Sequence, residues 1–598
     1  MKLQLNRKHA LCVAERFPEL KVLLDQLKLG SRAELSFEQL DRAHWGFIAA
    51  LYEAEGPAMA GRAAQLRTLE TVLASTGHRY EEGELERLVI DITNYMIEGG
   101  VRGWVFSLDR AGKPLAYLLQ RIDFSPPGEE EAGRLILELR ANAMGKIATV
   151  NVTLRERDIV GHHIAEILAA KGYVKETLAL LEAYDRSAAA FFEWRSESGR
   201  QFSAQGVGIY AEDPTASHRN TDWSRKKHVV LSTSGDAARL VNDESILQQR
   251  ALTLDAPGNL LSKYLRKAER SDNYSPEVER SIEQAHIPEN MFVELPVHGY
   301  ILMFHLELHH HLWVHVDDMR PYRYKSDLRD KLILPAEQTD LIDILTSEME
   351  VLMDDIIEGK SGGTTVLCVG PPGVGKTLTA EVYSEIIKRP LYRVHSGQLG
   401  LSVSEMEKCL KETLTRAQRW GAVMLIDEAD VYIKRRDDNI SANAVVGVFL
   451  RVLEYFNGLL FLTTNRVGDI DEAIVSRCIA MIQYRPPDAA DRYKIWEMMA
   501  QQFGLDIEPK LLQALPELFP QACGRDIKGL AKLVAKYCGH KSEAPTLEVF
   551  QRCSIFRGLK YVPRRAGDAP ASRPLASAEP VTHELAHPKA PTTLPAGA

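Results

Sequence analysis

Several things are missing from this 598-residue chain, and each absence narrows what it can do. No stretch approaches the ~18 consecutive apolar residues of a membrane-spanning helix. Met1 to Leu29 mixes its leucines with Glu15, Glu19, Lys21 and Asp25, without the apolar centre of a signal peptide. Cysteine is scarce: seven residues, an odd number, six of them in the second half, with no Cys-x-x-Cys pair. That usage fits reduced thiols rather than a disulfide framework or a zinc ribbon. A basic surplus is also lacking. The net charge of -9 supplies no field for nucleic acid, so a nucleic acid is not the expected partner, and nothing in the balance points to a membrane surface. These absences predict a cytoplasmic protein. What remains, 45% hydrophobic and 26% charged, is an ordinary globular composition, long enough for three or four domains.

Chemistry concentrates between Gly370 and Asn465. The apolar run Thr365-Val366-Leu367-Cys368-Val369 leads into Gly370-Pro371-Pro372-Gly373-Val374-Gly375-Lys376-Thr377, and a helical pattern follows from Leu378 to Lys388. Strand, glycine-rich loop and helix in that order place backbone N–H groups toward phosphates. Lys376 then reaches the β and γ phosphates, and the Thr377 hydroxyl is a ligand for Mg2+. About fifty residues on, Val423-Met424-Leu425-Ile426 reads as a strand buried on both faces and ends in Asp427-Glu428-Ala429-Asp430. Asp427 is the candidate to hold Mg2+ through its water shell, and Glu428 the candidate general base for an attacking water. A third strand, Leu459 to Leu462, ends at Thr463-Thr464-Asn465, where an amide can orient that water.

These motifs resemble the AAA+ ATPase superfamily over roughly Leu332 to Leu559. The resemblance implies a P-loop NTPase fold, an α/β parallel sheet of five strands followed by a helical lid. It implies ATP and Mg2+ as ligands, with Gly370, Pro371, Pro372, Gly373, Val374, Gly375, Lys376, Thr377 and Leu378 around the nucleotide and Thr377 and Asp427 at the metal. It further implies a homo-oligomeric ring, usually of six subunits, acting on a protein client. By the same resemblance Arg477 is the arginine that reaches a neighbouring subunit's γ phosphate, with Arg485 as a second candidate, and Arg525 is a lid arginine contacting phosphates in its own chain.

The chain departs from the family pattern twice. Position 476 is serine where the AAA subgroup carries the first of two arginines, and Ser476-Arg477-Cys478 is similar instead to clamp-loader subunits. After the strand Leu391 to His395, the loop Ser396-Gly397-Gln398-Leu399-Gly400-Leu401 has no aromatic residue with which to grip a threaded polypeptide. Two other readings therefore compete with a remodelling motor: a nucleic-acid-handling, clamp-loader-like ATPase, and a nucleotide-gated scaffold with slow turnover.

The rest of the chain is divided by pattern. Residues 1–215 are expected to be a mixed α+β region recognising a partner, helical to about Gly99, with strands at Ala116–Phe124, Arg134–Leu139 and Ile147–Leu154. Residues 216–330 read as an α/β intermediate region with strands at Phe292–Val297 and Tyr300–Leu306, preceded by a linker-like stretch from Gly206 to Lys227. His305, Glu307, His309, His311 and His315 would share one face of a strand, which invites a metal reading but equally describes a half-solvated strand. The ATPase core is expected over 331–487, opening with a helix from Pro335 to Gly359, and the family resemblance implies that Asp354 to Ile357 lie near adenine. A lid follows over 488–560. The tail, 561–598, holds too few large apolar residues to fold.

Overall fold

The computed structural model describes residues 2–563 except 31, 37–38, 57–58, 73–76, 109–111, 130, 212–226, 232–236, 248–250, 257–260, 262, 264, 266–273, 334–337, 341, 343, 345–362, 400–401 and 437–439. Most of the helix expected over 335–359, with its adenine-facing segment 354–357, lies outside the described residues, as does the tail from 564 onward. The chain divides into two compact units, Met1–Arg485 and Pro486–Ala598.

The first unit begins with a feature that the leucine-rich pattern concealed. Lys2–Asn6 pairs antiparallel with Arg32–Ser36, so this segment is not purely helical. Both strands bury alternate residues, Leu3 and Leu5 against Ala33 and Leu35, and the helices between and after them cover that face. The helix Arg42–Glu53 opens on a reciprocal cap: the Asp41 carboxylate accepts from the His44 N–H at 3.0 Å, while the Asp41 N–H donates to the His44 ring at 3.1 Å.

Five antiparallel strands follow, Trp104–Ser107, Ala116–Ser125, Arg134–Ala143, Lys146–Arg155 and Tyr173–Lys175. The second to fourth are the strands read from the sequence. The tightest turn, between Ala143 and Lys146, uses Met144 and Gly145, both at positive φ, the conformation that matches the twist of a two-residue hairpin.

A seven-stranded antiparallel sheet comes next, built from Gln201–Ala204, Val207–Tyr210, His228–Val230, Ala238–Asn242, Tyr300–His305, His310–His315 and Met319–Pro321. Two expectations are corrected here. Val207–Tyr210 and His228–Val230 pair with each other, so one sheet takes strands from both sides of residue 215, and the boundary expected there falls inside it. The histidine run is a hairpin rather than one strand. The chain turns through Leu306 to His309, with His309 at φ 55°, and His305 pairs with His310 across the ladder. The turn removes the shared face, and among the described residues no group of His, Cys, Asp or Glu is arranged to hold a metal ion. Phe292–Val297 contributes only isolated bridges, through Glu294 and Val297.

The remainder of the first unit is a five-stranded parallel sheet: β1 (Thr364–Val369), β2 (Leu391–His395), β3 (Val423–Asp427), β4 (Leu459–Thr464) and β5 (Ala480–Gln483), in the order β2-β3-β4-β1-β5. Every residue of β1, β3 and β4 is buried, which explains their unbroken apolar composition. Helices α1 (Lys376–Ile386), α2 (Val403–Trp420) and α3 (Ile440–Leu453) connect them. Helix α2 starts at Ser402, whose hydroxyl accepts from the Glu405 N–H at 3.3 Å, and stops at Gly421, held at φ 59°.

The sheet is joined to the seven-stranded one by a buried carboxylate. Asp243 accepts from Arg419 at 2.9 and 2.8 Å, from the Trp420 indole at 2.7 Å and meets the His311 ring at 2.8 Å. Phe304 packs beside this node against Tyr392 and Trp420, with the Arg416 guanidinium 4.6 Å over its ring.

Among its described residues the second unit holds four helices, Ala489–Phe503, Pro509–Leu518, Gly524–Lys541 and Leu547–Ile555, packed around Trp496, Leu515, Leu530, Val534 and Phe550. They match the helical segments read after Pro487.

Candidate nucleotide-binding site

The carboxyl ends of β1, β3 and β4 meet where the glycine-rich loop turns into α1, the place where open α/β sheets bind ligands. Two glycines in the loop are required by geometry. Gly370 sits at φ 158°, and a Cβ there would lie 2.6 Å from the Tyr484 carbonyl oxygen. Gly375 sits at φ 104° with open space around it, so its requirement is conformational. Helix α1 has no side chain capping its N-terminus. Its first N–H groups therefore face the loop unspent, the arrangement that takes phosphate.

Lys376 stands at the centre of this cradle. It is buried, and its ammonium donates to the carbonyl oxygens of Gly370 at 2.8 Å and Pro371 at 2.7 Å and to Asn465 Oδ1 at 2.9 Å. The phosphate-loop lysine and the amide at the end of β4 are thus in direct contact. Asn465 is fixed from the other side by Asp430, which accepts from the Asn465 N–H at 3.3 Å and from the Thr464 hydroxyl.

Thr377 and Asp427 also meet. The threonine hydroxyl donates to Asp427 Oδ1 at 3.1 Å, and Thr463 donates to the same oxygen at 2.5 Å. These are hard oxygen donors at the foot of the phosphate cradle, a donor set that suits Mg2+ with part of its water shell kept. Burial raises the Asp427 pKa, but the Thr463 bond, the Arg393 charge and the Thr377 bond outweigh it, and the carboxyl is held below the usual aspartate range.

Glu428 leaves the strand with its backbone at φ 55°, a conformation that costs a non-glycine residue about 1–3 kcal/mol and clusters at functional sites. The Glu428 N–H is tied to the Thr463 hydroxyl at 3.0 Å, and the side chain is exposed beside the cradle. Cys368, by contrast, is fully buried below the loop, and burial pushes its thiol up to about 12, so it is an inert core residue.

The other arginines are placed less directly. Arg477 follows the short helix Glu472–Val475, bonds to the Ala473 carbonyl at 3.2 Å and pairs with Glu454. Among the described residues no bond ties it to Lys376, Asp427, Glu428 or Asn465. Arg485 is exposed at the end of the first unit. Arg525 opens the helix Gly524–Lys541 of the second unit. In the loop after β2, Leu399 is buried in the core with Met406 and Leu410, and so offers no apolar grip to a client.

Residues 366–486 match the family model for the ATPase family associated with various cellular activities, AAA. This stretch of the chain, and not the remainder, is similar to AAA ATPase domains. The match runs from the third residue of β1 through β5 and takes in the phosphate loop and the Asp427–Glu428 pair. The uncharacterized AAA family ATPase y4kL of Sinorhizobium fredii is 28% identical over 168 residues, 27% of this chain and 51% of that protein. Fidgetin-like protein 1 of Drosophila melanogaster is 28% identical over 190 residues, 30% of this chain and 35% of that protein. The chain therefore spans about half or less of these relatives' length, and the similarity is one of AAA domains. The crystal structure of the FIGL-1 AAA domain in complex with ADP is 21% identical, covering 38% of this chain and 83% of that one at a TM-score of 0.32.

Two site residues escaped the sequence reading. Asp430 was in view as the last acid of its run, and its spacing from Asp427 was the available signal for its hold on Asn465. Arg393, which contacts Asp427 at 2.5 Å, carried no signal, because the pairing joins neighbouring parallel strands.

Proposed function

We propose that the protein binds Mg-ATP at the cradle around Lys376 and hydrolyses it, and that a ring of identical chains couples this turnover to the remodelling of a protein client. The observation that carries the reading is the convergence of Lys376, Asn465, Thr377 and Asp427, with Glu428 open to solvent beside them. Thr377 and Asp427 would hold the Mg2+, which supplies charge neutralisation to the phosphates when bound. Lys376 stabilises charge building on the transferred phosphoryl group. Glu428, aimed outward by its left-handed backbone, accepts a proton from the attacking water, and Asn465 orients that water.

Arg477 would complete the site of a neighbouring chain. Glu454 holds its guanidinium, and Asp471, clamped by Arg436 at 2.8 Å, caps the short helix that presents it. Residues 1–330 would recruit the client; the buried Leu399 supports action on a folded partner rather than threading.

The test is turnover and ATP affinity across protein concentrations. Lys376→Ala is expected to lower ATP affinity by at least about 100-fold, some 2.8 kcal/mol. Glu428→Gln is expected to keep affinity and lower kcat by about 10²–10⁴. A per-chain rate that stays flat with concentration, together with an active Arg477→Ala variant, would remove the shared-site model. A Glu428→Gln protein that still functions would favour the scaffold reading.

A further inference from the structure

Asp427 does not face the cradle with both oxygens free. Its Oδ1 takes the two threonine hydroxyls, while its Oδ2 lies 2.5 Å from Arg393 Nη2. Arg393 is the third residue of β2. It comes from the strand beside Asp427, and its other terminal nitrogen lies 3.6 Å from Glu381 on α1, one helical turn beyond Thr377. Among the described residues its Nε is buried without a hydrogen-bond partner, and the partners of the guanidinium are the two carboxylates rather than a fork of backbone acceptors.

A guanidinium at that distance spends much of the carboxylate's charge on one side, and the spent charge is then not available to a cation on the other. We infer that Arg393 is a positioning residue that commits Asp427 Oδ2, turns Oδ1 toward Thr377, and sets how much Mg2+ the nucleotide site needs. The inference rests on the nucleotide-site reading above. It concerns the strength of the metal requirement, which that reading leaves open.

The geometry gives the direction. With Arg393 in place, Mg2+ meets a half-neutralised carboxylate, and nucleotide binding demands a higher Mg2+ concentration. With Arg393 removed, Asp427 presents its full charge, and the demand falls. Glu381 moderates the arginine by sharing it, so the Mg2+ requirement depends on how Arg393 divides between the two acids.

Binding of a fluorescent N-methylanthraniloyl ATP to the full chain, with MgCl2 titrated into EDTA-treated buffer, reads this out without turnover. R393Q is expected to lower the Mg2+ concentration at half-maximal enhancement by about 3–10-fold. R393K, with a single point charge of shorter reach, should shift it in the same direction by about 2-fold. In D427N, adding R393Q should change nothing, because the arginine acts through the aspartate. A folded R393Q protein that binds the analogue with the wild-type Mg2+ requirement overturns the inference. If R393Q does not fold, an unshifted R393K overturns it equally. A wild-type protein that binds no analogue with or without Mg2+ overturns the nucleotide-site reading instead.

Discussion

Asp243 and Asp427 are both buried aspartates gripped by an arginine, and they differ in what surrounds the grip. Asp243 is fully enclosed, and its oxygens are taken up by Arg419, Trp420 and His311. Asp427 is nearly as buried, yet Glu428 and Asn465 beside it are open to solvent, and its Oδ1 meets the Thr377 hydroxyl at the foot of the phosphate loop. A carboxylate saturated by protein donors can only hold elements together; one flanked by exposed polar groups and an uncapped helix can exchange partners. The same residue type thus joins two sheets at one place and prepares a binding site at the other.

Mutation can break the comparison most sharply at the closed node. Asp243→Ala leaves the buried Trp420 indole N–H and the part-buried Arg419 guanidinium and His311 imidazole without their acceptor, and is expected to cost about 2–4 kcal/mol of stability in denaturant melts. Asp427→Asn should do the reverse. Its threonine donors keep an oxygen to bind, and Arg393, at 39% side-chain exposure, can turn to water, so stability should change by about 1 kcal/mol or less. Turnover should fall by about 100-fold, some 2.8 kcal/mol. Equal effects of the two substitutions on stability would erase the distinction.

Acid sharpens it further, with a smaller effect. Burial raises the Asp243 pKa, but the His311 bond, the Arg419 charge and the Trp420 bond outweigh it and hold the carboxyl below the usual range. A group depressed on folding contributes its full stability above the unfolded value and loses it as pH falls through the folded one. The joint should therefore hold down to about pH 4 and weaken below it, and D243N should lose that part of the acid transition. A melt series from pH 7 to pH 3 checks this.

How much was legible beforehand follows from the range of each interaction. The phosphate loop, the β3 strand and Asn465 were readable because each is a contiguous pattern whose chemistry and local structure coincide. Their convergence into one sheet needed only strands buried on both faces. Arg393 and Glu454 were not readable, since each acts through a partner more than twenty residues away that no local period marks. The pair Lys2–Asn6 and Arg32–Ser36 was hidden by leucines at helical spacing between them, and the histidine hairpin by an alternation that continues across its turn. In both cases a period was correctly seen and the reversal of chain direction was not. Chain reversal depends on backbone conformation at single residues such as His309, which composition does not reveal.

Helix α2 carries a mechanical consequence. Its eighteen residues make a rod ~27 Å long. Its last turn is bolted at Asp243 to the seven-stranded sheet, and its first turn packs with Leu399, the residue that closes the loop after β2. The rod is also held along its length, by Met406, Leu410, Leu414 and Ala417 in the core and by Glu407 against Arg451 at 2.7 Å, so it acts as a strut: a load on the loop after β2 reaches the Asp243 joint along the helix axis.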